Sequence, residues 1–132
     1  MPPIEHIQLV VREWISKAEN DFTAARHLLS LGDEAPFDVI CFHAQQCVEK
    51  YLKAVMVAHS LPVPKTHDIE KIAGILAPVF PIDLTPEQMR LLAEYAADVR
   101  YPGVDFLFRE DAEEALRIAD EVRKAIRATL LF

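Results

Sequence analysis

Between residues 43 and 53 the chain places His43, Gln46, Lys50 and Lys53 at spacings of three, four and three. In a helix these positions share one face. Gln45 and Glu49 flank them. An imidazole, amides and ammoniums within three turns form a set able to hold an anion or a nucleotide. Lys53 taken alone reads as a solvated residue, because lysine is rarely buried. Asp21 continues the series Trp14, Ala18, Asp21, Ala25, Leu28, which should face the core. A carboxylate there needs a partner: either an ion pair with Lys50 or Lys53 that fixes how the first two helices dock, or a role in ligand chemistry. His67-Asp68 follows Lys65-Thr66, at the kind of helix start that presents free N–H groups to anions. Plain capping suits Asp68, while His67 fits either role. Arg100-Tyr101-Pro102 closes another helix. An arginine complements a helix C-terminus, and the proline holds the Arg100 and Tyr101 side chains in a defined place, as a planar anion binder requires. His6, His27 and His59 fall outside these patterns and read as surface residues.

Helices must position all of these groups. Prolines punctuate the chain, and no period-2 strand stands out between them. A first helix is expected from about Ile4 to Leu31, closed by Gly32 as a C-cap. A second is expected from about Phe37 to Ser60, and a third from His67 to Ala77 with Thr66 as N-cap. Thr85-Pro86-Glu87-Gln88 is a capping box that opens a fourth. It should end near Arg100, because Pro102 disfavours helix at Tyr101. The fifth spans about Arg109 to Leu131. The fold class expected is all-α, a single domain over residues 1–132. It should be an antiparallel up-and-down bundle of four long helices and one short one.

Composition narrows the function. Of 132 residues, 52% are hydrophobic, which suits one ordinary core. Three isolated glycines, Gly32, Gly74 and Gly103, leave no glycine-rich phosphate loop. The net charge of −7 argues against coating long nucleic acid. Residues 36–67 nevertheless carry three basic against two acidic groups, the only net-positive stretch. Cys41 and Cys47 would lie about 9 Å apart along one helix, too far to bridge. No metal site is expected, since neither Cys/His ligand spacing nor the paired Glu-x-x-His of di-iron bundles occurs, and no cofactor is implied. Without a signal-like segment or a long apolar run, the chain reads as cytoplasmic with no membrane role.

Taken together, these pieces resemble the HEPN family, the higher eukaryotes and prokaryotes nucleotide-binding domain, in its small stand-alone prokaryotic form. The resemblance rests on four pieces in order: Trp14…Ala18…Asp21…Ala25, the stretch from Phe42 to Ala54, Pro64-Lys65-Thr66-His67-Asp68, and Arg100-Tyr101-Pro102. An alanine-rich last helix follows them. The most specific part is Gln45-Gln46-x-x-Glu49-Lys50-x-x-Lys53. The resemblance implies a helical homodimer that often works beside a separately encoded minimal nucleotidyltransferase, as a toxin–antitoxin pair. It also implies likeness to the helical substrate-binding domain of kanamycin-type nucleotidyltransferases. Many members are metal-independent ribonucleases with an Arg followed four to six residues later by a His. Here those positions after Arg100 hold Val104, Asp105 and Phe106, and no His follows. An acid–base group suited to neutral pH is missing there.

Three readings follow. The first is a non-catalytic nucleotide- or substrate-binding subunit, with Lys50, Lys53 and Arg100 on phosphate and Gln46 and Tyr101 lining the pocket. Asp21, His43, Glu49 and His67 complete its site. The second is a ribonuclease toxin in which His43 or His67, with Arg100, replaces the missing group. The third is a helical dimerisation module, because Leu91, Phe106, Leu107 and Phe108 have no obvious home within one chain and 104–108 would pack across a twofold axis.

Overall fold

The computed structural model describes residues 3–96 and 106–130. Every regular element in them is helical: α1 (Ile4–Leu29), a 3-10 turn (Gly32–Glu34), α2 (Phe37–Ala58), α3 (Ile69–Leu76), α4 (Pro86–Tyr95) and α5 (Arg109–Thr129).

Local chemistry sets the boundaries. α1 stops at Leu29 with Ser30 as its C-cap, two residues before the expected end. Gly32 instead adopts φ +70° and leads the chain into the 3-10 turn, a backbone state that glycine tolerates best. α2 also ends two residues early. The Leu61 N–H donates to Met56 O at 2.8 Å and the Ser60 N–H to Val57 O at 3.0 Å. This is the paired closure of a Schellman motif, with Ser60 at φ 57° where glycine is usual. α3 starts at Ile69 rather than His67. Its N-cap is Asp68, whose carboxylate accepts from the Lys71 N–H. Thr66, the expected cap, accepts from the Asp68 N–H instead. The stronger cap wins, and His67 stays outside the helix. The box at α4 forms as expected, with Thr85 Oγ1 accepting from Gln88 N–H at 3.0 Å and Gln88 Oε1 from Thr85 N–H at 2.9 Å. That helix closes at Tyr95 with Ala96 as its cap, short of the expected length, so the long helices here are α1, α2 and α5.

Side-chain pairs give the directions. Trp14 meets Lys53, Glu19 meets Tyr51, and Asp21 meets Lys50 and His43, so α1 and α2 run antiparallel. Asp33 meets Arg109, while Glu19 meets Arg123 and Arg127, so α5 is antiparallel to α1 and runs with α2. α2 is the central element and packs against all four other α-helices. Its Ile40, Ala44, Cys47, Val48, Tyr51, Leu52 and Val55 are fully buried. The apolar stripe of α5, from Ala112 through Ala119 to Ile126, joins them in one core. Leu91 and Leu107 pack against that core, so both have a home within the single chain. Phe106 and Phe108 do not; they are 63% and 61% exposed and stack on each other with ring centroids 6.3 Å apart.

Candidate functional site

The polar face of α2 organises two carboxylates. Asp21, buried on α1, has Lys50 Nζ at 2.6 Å and His43 Nδ1 at 2.8 Å, one on each oxygen. Glu49, only 2% exposed, takes Lys53 Nζ at 2.9 Å, His67 Nδ1 at 2.8 Å and Gln45 Nε2 at 3.1 Å. Gln46 extends the chain by donating to Gln45 Oε1 at 2.8 Å. Burial alone would raise the Glu49 pKa. The hydrogen bonds from Lys53, His67 and Gln45 outweigh it and hold the carboxyl below its usual value.

The core-facing placement of Asp21 holds, and its lysine partner is Lys50. Lys53 is a correction. Expected on a solvated face, it is 7% exposed and lies between Glu49 and the Trp14 ring, 5.6 Å from the centroid. Its ammonium is held by Glu49. Gln45, read only as a flanking residue, is fully buried and bridges Glu49 to Gln46. His67 reaches Glu49 because Asp68, not Thr66, caps α3. His6, His27 and His59 are exposed as expected. Arg100 and Tyr101 lie outside the described residues.

Both imidazoles face a carboxylate through Nδ1, which makes Nδ1 the donor and leaves Nε2 as the ring nitrogen available to a ligand. The side chain of His67 is 71% exposed and that of His43 33%. Lys50 adds a cation whose side chain is 23% exposed. The arrangement thus offers an imidazole and an ammonium on Asp21, with the Gln46 amide on the same helix face, and a second imidazole oriented by Glu49. Among the described residues no three His, Cys, Asp or Glu side chains group to hold a metal ion. Burial pushes the Cys47 thiol well above its usual pKa, so it is no nucleophile.

A second network was not read from the sequence. Glu19 on α1 accepts from Arg123 Nη2 at 2.6 Å and Nε at 2.9 Å, from Arg127 Nη1 at 2.9 Å, and from the Tyr51 hydroxyl. Its pKa is lowered to about 2, chiefly by the Arg123 hydrogen bonds. Arg123 also lies 4.3 Å from the Phe22 ring centroid. The available signal was spacing: residue 123 falls three before Ile126 and four after Ala119, on the flank of the buried stripe.

The model of the HEPN domain matches residues 11–129. The chain belongs to the HEPN family. Two solved structures share the HEPN fold seen here. TT1696 from Thermus thermophilus is 28% identical with a TM-score of 0.68, covering 91% of this chain and 98% of that one. ST0689, described as an archaeal HEPN homologue, is 22% identical with a TM-score of 0.65, covering 89% and 95%. No curated protein matches the chain. No helix among the described residues of this HEPN domain is long and apolar enough to cross a membrane.

Proposed function

We propose that this HEPN chain is a non-catalytic nucleotide- or substrate-binding subunit that acts with a minimal nucleotidyltransferase in a toxin–antitoxin-like system. The observation that carries the reading is the pair of imidazoles held by buried carboxylates, His43 sharing Asp21 with Lys50 and His67 on Glu49. Buried ion pairs are weak stabilisers, whereas partly exposed groups oriented by them suit ligand binding. In this reading Lys50 and Arg100 contact phosphate, Gln46 and Tyr101 line the pocket, and Asp21, Glu49 and Lys53 hold the contacting groups in place. Family membership supports a homodimer. Calorimetric titration with ATP and other nucleotides tests the proposal. Saturable binding that weakens in Lys50→Met supports it, and no binding, alone or with the nucleotidyltransferase, rejects it.

The same two imidazoles favour a second reading, a ribonuclease of non-standard site. A carboxylate that orients a histidine through Nδ1 prepares Nε2 for proton transfer. In that reading wild type cleaves total RNA, and His43→Ala, His67→Ala or Arg100→Ala abolishes cleavage. RNA left intact by wild type, as in a mock preparation, removes it.

A further inference from the structure

The side of α1 turned away from the histidine face carries a second group of charges. Arg12, Ser16 and Glu19 follow each other at spacings of four and three and share a face. Trp14 and Asp21, which serve the α2 site, each lie two positions from a member of that set, roughly 200° around the helix. Along the seam between α1 and α5, Glu19 is shared by Arg123 and Arg127. Asp120 is held by Arg123 at 3.1 Å and Lys124 at 2.9 Å. Two carboxylates therefore face four cations, counting Arg12, in a chain whose net charge is −7. Arg12 has no hydrogen bond or ion pair among the described residues. The Arg127 side chain is 52% exposed and gives only Nη1 to Glu19. Between Arg12 and Arg127 lies a hollow of about 280 Å³, completed by Ile15, Ser16 and Leu130. Among the described residues that line it there is no carboxylate; Glu13 lines a separate hollow with Val10, Trp14 and Lys17.

We propose that this hollow is a phosphate site, taking a terminal phosphate or pyrophosphate group that is either free or carried on a nucleotide or an RNA end. Two guanidiniums supply forked donors that match phosphate oxygens, and the Ser16 hydroxyl adds another. Glu19 fixes Arg127 by one nitrogen and leaves its other N–H groups for the ligand. Ile15 and Leu130 shield one side of the hollow, which strengthens those bonds. The site is independent of the nucleotide face on α2.

The test titrates the full chain at constant ionic strength with pyrophosphate, ATP, and matched 5′-phosphorylated and 5′-hydroxyl oligoribonucleotides. The side-chain Nε–Hε NMR signals of Arg12 and Arg127 report on binding. Pyrophosphate should shift both signals saturably. Arg12→Gln and Arg127→Gln should each weaken binding about tenfold, as loss of a forked charge-assisted contact implies. Glu19 keeps Arg123 and Tyr51 in the second variant, so its fold persists. Lys50→Met should bind pyrophosphate at the seam as wild type does. Preference for the 5′-phosphorylated strand over its 5′-hydroxyl counterpart identifies an RNA end, and equal response to both with saturable pyrophosphate binding identifies a small phosphate ligand. Shifts matched by sodium chloride at equal ionic strength, or unchanged affinity in both arginine variants, overturn the proposal.

Discussion

At the scale of single residues, buried carboxylates set the rules. Asp21 and Glu49 are both nearly inaccessible and each binds a lysine and a histidine. Asp21→Asn removes the charge that Lys50 and His43 face, so it should lower stability by about 1–3 kcal/mol. A thermal melt checks this, and an unchanged midpoint would mean that the pair stabilises nothing. Glu19 gives a pH signature. Its folded pKa of about 2 lies below the ordinary 4.5, so its contribution is complete above about pH 4.5 and is lost as pH falls toward 2. Urea unfolding at stepped pH should therefore show Glu19→Gln less stable than wild type at pH 7. The gap should narrow through that acid window. A constant gap would show that the ionised Glu19 carboxylate does not carry this stability.

At the scale of elements, the caps decide what the helices can present. The capping box of α4 was legible from Thr85-Pro86-Glu87-Gln88, and the start of α5 from its spacing. The end of α1 was misplaced because Gly32 serves the following 3-10 turn rather than the helix. The start of α3 was misplaced because Thr66 and Asp68 compete for one cap, and only the structure shows Asp68 winning. That outcome matters, because it frees His67 to reach α2. The burial of Lys53 was not legible for a different reason. Glu49 lies one turn before it on the same helix, but Trp14 covers it only when α1 and α2 dock. The Glu19–Arg123 contact spans 104 residues, beyond any local pattern. One element-level prediction follows from the α2 terminus. Ser60 holds a left-handed conformation, which costs a non-glycine residue about 1 kcal/mol. Ser60→Gly should raise stability by about 0.5–1 kcal/mol in denaturant unfolding, and a loss would indicate that the Schellman closure does not set this terminus.

At the scale of the whole molecule, α2 ties function to fold. One of its faces is core, while the adjacent face carries the groups proposed to bind ligand. Phe106 and Phe108 remain exposed at the start of α5 after Leu91 and Leu107 have found places in the core. Paired exposed aromatics of this kind suit a partner surface. Light scattering at micromolar concentration should report a dimer for wild type and a monomer for Phe106→Asp/Phe108→Asp. A double variant that stays dimeric would place the interface elsewhere. The central claim is that the α2 face binds a nucleotide through His43, His67 and Lys50. Its most direct measurement is calorimetry with ATP on wild type and Lys50→Met, alone and with a minimal nucleotidyltransferase added. Saturable binding is expected for wild type, with an affinity about tenfold lower for the variant. Equal affinities, or no heat of binding in either setting, would contradict it.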